Sequence, residues 1–267
     1  MEKNIRGSIN NKPIKQIFFL ALEKQKKGNF KAAEKLYKEI LKTNPNHFST
    51  IGLLGALSLQ TKNLEQAKLL FNKALKINPK HADTHKNLGL VYEEMNDLEK
   101  AKNCYERAIE IHPNDAETYN NLGVFFNKIG DIYKAKNCYE KAIEIKPDFA
   151  EAYNNLGLKF KEIGNLTKAI NCFEKAIKYK SENLNYYFNL SNLKKEIIDL
   201  DLKNMITEII SKNSTSKKNI AYGNYLLARY ERQNKNYKQE MNYLIKGHLN
   251  YFESQKDKYK KEINYWL

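Results

Sequence analysis

The chain of 267 residues repeats itself with a step of 34 residues, and this period limits the folds open to it. The stretch AETYNNLG begins at Ala116 and returns as AEAYNNLG at Ala150. A fixed period of this size is typical of architectures in which each unit stacks on the next. The residues that keep the step are Pro45, Pro79, Pro113 and Pro147, Ala33, Ala67, Ala101, Ala135 and Ala169, and Gly55, Gly89, Gly123 and Gly157. The blocks are residues 14–47, 48–81, 82–115, 116–149 and 150–183.

Each block predicts two helices separated by a turn. In the fifth block Tyr153, Leu156 and Phe160 recur at steps of three and four, which places them on one helix face. Gly164 indicates the end of that helix, because glycine readily takes the left-handed conformation. A second apolar face follows over residues 169–177. One such hairpin cannot bury its apolar face alone, so the sequence predicts an all-α array of stacked antiparallel hairpins.

The pattern Tyr-x2-Leu-Gly-x2-Phe, followed by Ala-x3-Phe and in the earlier blocks by a proline, resembles the tetratricopeptide repeat. The resemblance extends over residues 14–183 and departs from the family only in having Tyr, His or Ile where Trp is frequent. It implies a right-handed α-solenoid, a superhelix whose first helices line a concave groove. We therefore divide the chain into a basic lead-in at 1–13, five repeats at 14–183, and degenerate helical hairpins at 184–267.

The repeat pattern loosens after Asn183 but continues. Tyr187 and Leu190 fit the first helix of a sixth unit, for which Leu200–Ser211 is the expected partner. Signs of a seventh hairpin are Leu227-Ala228, Asn236-Tyr237, Leu244 and Gly247, and a last helix is expected over Tyr251–Leu267. The sequence ends on Tyr265-Trp266-Leu267. These apolar residues are explained either by a tail that folds back onto the array or by a natural or ancestral protein that continued past them.

The formal net charge of +15 suggests an anionic partner, but the kind and position of the charges argue against it. Arginine, which reads nucleic acid best, accounts for only four of 46 basic residues, namely Arg6, Arg107, Arg229 and Arg232. The excess lies in 1–47 and 184–267, while 48–183 is nearly balanced. We prefer a solvated lysine-rich surface to binding of nucleic acid or an anionic membrane through these flanks.

No apolar run approaches the roughly 18–20 residues that span a bilayer. The apolar segment Ile17–Leu22 is too short for the core of a signal peptide. We expect a cytoplasmic, bacterial protein, and the sequence does not indicate its oligomeric state.

Paired asparagines on the first helices form the candidate binding surface. At about 100° per residue, Asn154 and Asn155 lie opposite the core face that Tyr153 marks, which is the groove side if the family architecture holds. Side-chain amides offer donors and an acceptor to the main chain of an extended peptide, and an apolar stripe beside them can take a side chain. The candidate residues are Lys86, Asn87, Leu90, Asn120, Asn121, Val124, Asn154, Asn155, Leu158 and Asn189.

Peptide binding is not the only role that these residues could have. Asparagine is common at the second of the paired positions in this repeat even where no ligand is known, so a structural role stays open beside peptide binding. In similar arrays, including those of the glycosyltransferases that modify Ser and Thr, an asparagine ladder binds peptide. A clamp for acidic chaperone tails is disfavoured, since Lys86 fits such a clamp but Leu90 and Glu151 do not.

No catalytic motif, cofactor site or metal site is indicated, and we expect a non-catalytic scaffold for a protein or peptide partner. Neither a nucleophile elbow, a Walker loop nor a dinucleotide-binding loop occurs. Cys104, Cys138 and Cys172 lie one repeat apart, beyond disulfide reach, and are interpreted as apolar fillers. His85 is interpreted as a packed core histidine. The histidines that share no metal-site spacing are His47, His81, His85, His112 and His248.

The C-terminal third also resembles the linker of bacterial proteins that join these repeats to a sulfotransferase domain. The stretches that carry the resemblance are NLSNLKKE from Asn189, AYGNYLLARY from Ala221, Lys246–His248 and Tyr251-Phe252. In those proteins a strand and a phosphosulfate-binding loop would follow, beyond Leu267. The alternative function is therefore the substrate-recruiting region of such an enzyme, as a fragment or a stand-alone relative without the catalytic domain.

Overall fold

The computed structural model describes residues 13–194 and 198–266, with side chains described as far as Gln255. These residues form fourteen α-helices and no strand, which confirms the all-α prediction. They divide into two compact units, Met1–Gly130 and Asp131–Leu267. The lead-in predicted at 1–13 lies outside the described residues except for Pro13.

The first unit contains seven helices, and the first six of them pair as three consecutive hairpins. Helices α1 and α2, α3 and α4, and α5 and α6 pack against one another, and each hairpin contacts the next. The bounds are α1 Ile14–Lys26, α2 Phe30–Thr43, α3 Phe48–Gln60, α4 Leu64–Ile77, α5 Ala82–Glu94, α6 Leu98–Ile111 and α7 Ala116–Lys128.

The second unit begins with the same arrangement and departs from it towards the C-terminus. Helix α8 packs on α9, and α9 and α10 form a hairpin, as do α13 and α14. Helices α11 and α12 both pack against α13. The bounds are α8 Ile132–Ile145, α9 Ala150–Glu162, α10 Leu166–Tyr179, α11 Leu184–Ser191, α12 Leu200–Ser211, α13 Lys217–Gln233 and α14 Tyr237–Trp266.

A left-handed residue makes the turn inside each hairpin, at the same place in every repeat. Gly164 takes a φ of +81°, while Lys62 and Asn96 adopt the same conformation with φ of 60° and 61°. The next residue is Asn or Asp, whose side chain accepts a hydrogen bond from the backbone N–H three residues on and so caps the second helix. These caps are Asn29, Asn63, Asp97, Asp131 and Asn165.

The repeated glycine of the first helix lets an aromatic ring of the second helix lie directly on the backbone. A Cβ atom at Gly55 would lie 2.7 Å from the ring of Phe71, and one at Gly157 would lie 2.7 Å from that of Phe173. Both rings are fully buried. This contact is the physical reason why glycine and an aromatic residue keep the same step along the chain.

The C-terminal helices have a core of their own. Its buried residues are Leu184, Tyr187, Ile198, Ile206, Ile209, Leu226 and Leu227. Helix α14 is continuous from Tyr237 to Trp266, so the separate last helix expected from Tyr251 is not formed. Gly247 lies inside α14 without interrupting it. The ring of Tyr225 packs against the backbone at this glycine, where a Cβ atom would lie 2.6 Å from the ring.

Candidate functional site

The structure separates the two paired asparagines, which we call the first and second positions of the repeat. Asn154, at the first position, is only 5% exposed. Its Oδ1 accepts a hydrogen bond of 2.7 Å from Nδ2 of Asn189, so this amide joins α9 to α11. The first position therefore holds neighbouring helices of the second unit together.

Lys86 occupies the first position one repeat before Asn120, and it too binds the next repeat. Its Nζ lies 3.0 Å from Asp83 and 3.1 Å from both Asp115 and Glu117, so it connects α5 to the start of α7. Burial alone would lower the pKa of Lys86, but the hydrogen bonds to these three carboxylates raise it above its usual value. A lysine held in this way is not available to clamp an acidic tail.

Asn120, the remaining first-position residue, is 2% exposed. The first-position amide is thus buried in both units, at Asn120 in the first and at Asn154 in the second. A ligand could reach it only after the helices moved. A candidate peptide surface therefore depends on the second position.

The second-position residues Asn87, Asn121 and Asn155 are half-buried, and so is Asn189. Among the described residues, Asn87 and Asn121 make no side-chain hydrogen bond. An amide that keeps part of its surface and its bonding capacity can still bind a peptide group.

An apolar residue lies three positions after Asn87, Asn121 and Asn155, one helical turn further along the same face. Val124 and Leu158 are each 37% exposed, and Leu90 is half-buried. In the first unit the pairs are Asn87 with Leu90 and Asn121 with Val124; in the second unit Asn155 is followed by Leu158. Each unit therefore presents an amide beside an apolar side chain, a combination suited to a peptide main chain and one of its side chains.

The cysteines and His85, which the sequence also singled out, lie in surroundings that indicate a role in the fold. Burial raises the pKa of each of the thiols Cys104, Cys138 and Cys172 to about 11, so they stay protonated at neutral pH. The half-buried ring of His85 has Nε2 2.9 Å from the carbonyl oxygen of Pro79. Among the described residues, no three His, Cys, Asp or Glu side chains form a group that could hold a metal ion.

Two histidines act as helix caps, a role that sequence reasoning missed. Nδ1 of His47 and of His81 accepts a hydrogen bond from the backbone N–H of Thr50 and Thr84. The signal was present, since Asp115 and Asn183 hold the same place in later repeats and cap their helices. In the described part of the chain, no helix is both long and apolar enough to cross a bilayer.

Family models of the tetratricopeptide repeat match residues 20–82, 82–115, 116–149 and 150–183. Together these matches extend over more than half of the 267 residues. The chain belongs to the tetratricopeptide repeat family. Its predicted fold class, a solenoid of helical hairpins, is confirmed.

Solved structures of other proteins share the fold. A structure of MamA is 29% identical with a TM-score of 0.53, and the match covers 62% of this chain and 97% of MamA. Pseudomonas aeruginosa pilF is 23% identical with a TM-score of 0.60, covering 79% and 97%. YrrB, described as a tetratricopeptide repeat protein with an unusual peptide-binding site, is 22% identical with a TM-score of 0.50, covering 67% and 90%. No curated protein matches this chain.

Proposed function

We propose that this tetratricopeptide repeat protein is a non-catalytic scaffold that binds an extended segment of a partner protein through the second-position amides. The observation that carries the proposal is the recurrence, in both units, of a half-buried asparagine followed one turn later by an apolar side chain. Membership of the family supports a role in protein interaction. YrrB, which shares the fold, is a peptide-binding protein by its description, and this agrees with the proposal.

The test is selection of binding peptides from a displayed library, followed by affinity measurements on variants. We expect the combined variant Asn87→Ala, Asn121→Ala and Asn155→Ala to bind the selected peptide at least tenfold more weakly. Each lost hydrogen bond contributes about 1 kcal/mol, and a factor of ten corresponds to about 1.4 kcal/mol. Circular dichroism must show that the variant is folded.

The chain offers a matched control set of asparagines. Asn103, Asn137 and Asn171 lie one repeat apart on the second helices, and all three are exposed. Changing them to alanine should leave the affinity unchanged. Equal affinity of the second-position variant and this control would contradict the proposal.

A second experiment distinguishes recognition of the peptide main chain from recognition of its side chains. A peptide methylated at the backbone nitrogens that contact the asparagines should bind more weakly. It lacks the N–H groups that would donate hydrogen bonds to the side-chain oxygens of the asparagines. Changes of its polar side chains should matter less. The opposite result would indicate recognition by side chains and would remove the role given to the amides.

The finer alternatives remain hypotheses. A sulfotransferase-linked function predicts that the reading frame continues past Leu267 into a phosphosulfate-binding loop, which sequencing of the locus would show. Binding of nucleic acid or an anionic membrane through the basic flanks predicts affinity that falls steeply with salt. A cytoplasmic location is likewise still a prediction, which fractionation of the native cells would test.

A further inference from the structure

A pocket of about 360 Å³ lies in the second unit among α11, α13 and α14. It is separate from the second-position amides and lies outside the residues that the family models match. The residues that line it are Phe188, Tyr225, Ala228, Arg229, Arg232, Glu240, Leu244 and His248. Two of the four arginines of the chain thus meet at one pocket.

Arg229 is half-buried at this pocket and is held by neutral partners. Its Nη2 donates a hydrogen bond of 2.7 Å to Oδ1 of Asn192, and its Nη1 donates to the hydroxyl of Ser191. In the described part of the chain it forms no ion pair with a carboxylate. Burial lowers the pKa of Arg229, which reflects the cost of a positive charge that is partly removed from water.

Two other charges that this protein partly or fully removes from water, those of Lys86 and Glu231, are compensated by ion pairs. Lys86 has three carboxylates within reach. Glu231, two residues after Arg229, is 6% exposed and is paired with Lys203 at 3.0 Å. A half-buried guanidinium that pairs with no carboxylate of the described residues is a feature that an anionic ligand would stabilise.

The wall of the pocket is aromatic. The guanidinium carbon of Arg229 lies 4.5 Å from the ring centre of Phe188, whose ring in turn lies 5.8 Å from that of Tyr225. The hydroxyl of Tyr225 is 3.2 Å from Nδ1 of His248. Phe188 follows Asn154 by one repeat step, so an aromatic ring replaces the buried amide where this pocket forms.

The charges that face the pocket leave it positive. Glu240 is the one carboxylate among the lining residues, and its Oε1 lies 3.4 Å from Nε of Arg232. Because Glu240 pairs with Arg232, no further carboxylate among the described lining residues opposes the Arg229 charge. Guanidinium is planar and its donors match the two oxygens of a carboxylate, so the pocket combines an oxyanion site with an apolar wall.

We propose that this pocket binds a carboxylate with an aromatic or apolar group beside it, as presented by an acidic side chain or by the C-terminus of a peptide. The guanidinium of Arg229 would hold the carboxylate, and the rings of Phe188 and Tyr225 would contact the apolar group. The proposal goes beyond the peptide surface described above. It requires none of the second-position asparagines, so either proposal can fail without the other.

The scarcity of arginine makes a direct test possible. In the full chain labelled with ¹⁵N, the side-chain Nε–Hε groups give only four arginine signals, one for each arginine. We expect N-acetylphenylalanine to shift the Arg229 signal in a saturable way, while N-acetylphenylalanine amide, which lacks the charge, binds at least tenfold more weakly. Equal titrations by the acid and the amide would overturn the proposal without any substitution.

Two further probes identify the source of the carboxylate. N-acetylglutamylphenylalanine amide carries its carboxylate on a side chain, and comparison with N-acetylphenylalanine tells whether the pocket prefers a side-chain or a C-terminal acid. Saturable binding of either probe supports the proposal. Inorganic phosphate that shifts the Arg229 signal with the same affinity as both would overturn it, since the apolar wall would then contribute nothing.

Variants give the independent check. Arg229→Lys keeps the charge but loses the planar pair of donors, so we expect at least fivefold weaker binding of N-acetylphenylalanine, and a larger loss for Arg229→Gln. Arg107→Gln is the matched control, because Arg107 lies on an exposed surface and pairs with Glu110 at 2.7 Å. Unchanged affinity in folded Arg229→Gln would rule out the assigned role.

Discussion

Asn154 and Asn155 are neighbours in sequence but differ in their surroundings. The first amide is buried and bonded to Asn189, whereas the second is half-buried. A step of about 100° around the helix is enough to move a side chain from the contact with the next repeat to the accessible face. The doubled asparagine thus combines a contact that positions helices with a candidate contact for a ligand.

Lys86 provides a test of the inter-repeat contact in the first unit. We expect Lys86→Gln to lower the free energy of unfolding at neutral pH by about 2 kcal/mol, because Asp115 and Glu117 lose their cation. Lys100→Gln is the control, since Lys100 pairs with Asp97 on an exposed surface, where ion pairs contribute little. Urea unfolding monitored by circular dichroism measures both.

The effect of Lys86→Gln should depend on pH. Burial alone would raise the pKa of Asp115, but hydrogen bonds from Thr118 and Lys86 lower it below its ordinary 3.8. A carboxyl with a lowered folded pKa stabilises the fold above its ordinary pKa and loses that contribution as the pH falls. The difference between wild type and variant should therefore shrink as the pH falls below about 4. A difference that stays constant with pH would contradict the ion-pair assignment.

Two glycines of α3 are expected to respond in opposite directions to the same change. Gly55→Ala should lower the free energy of unfolding by about 1 kcal/mol, because the new Cβ overlaps the ring of Phe71. Gly52→Ala meets open space and should raise it by about 0.5–1 kcal/mol through helix propensity. The midpoints of urea unfolding compare the two. A stabilising Gly55→Ala would mean that the ring moves aside at little cost.

The hairpin of α13 and α14 uses the packing of the repeats in reverse order. In the repeats the glycine lies on the first helix and the ring on the second, as in Gly55 with Phe71. Here Tyr225 lies on the first helix and Gly247 on the second. The contact of a ring with a bare backbone persists although the sequence motif is inverted, which explains why the pattern becomes hard to recognise after Asn183.

Ile206→Ala tests whether the C-terminal helices form a core of their own. Ile206 is fully buried in the cluster that joins α12 to α13. Truncation should cost about 2–5 kcal/mol. Since repeat proteins are stabilised by nearest-neighbour contacts, the loss should appear as faster amide hydrogen exchange in residues 184–250.

Exchange in α1 to α4 should stay as in the wild type, which makes those helices the internal control. An equal increase of exchange throughout the chain would instead indicate one cooperative folding unit.

The charge of the whole chain has a consequence for its stability. A formal charge of +15 means that lysines repel one another more than the exposed ion pairs attract, since those pairs are screened and weak. We expect the melting temperature to rise between about 0.01 M and about 0.15 M sodium chloride, as the Debye length falls from about 30 Å to about 8 Å. A melting temperature that falls over this range would show that the ion pairs dominate.

The sequence by itself determined the repeat, the hairpins, their turns and the family, because each of these depends on residue types at a fixed step along the chain. Even Leu200–Ser211 was predicted as a helix without the repeat motif. Only the tertiary structure decided which asparagine of each pair is accessible, that Lys86 is enclosed by carboxylates, and that Arg229 meets Phe188 and no carboxylate of the described residues. Those properties depend on side chains that come from different helices of one unit, and a period along the chain records spacing but not which groups meet across it.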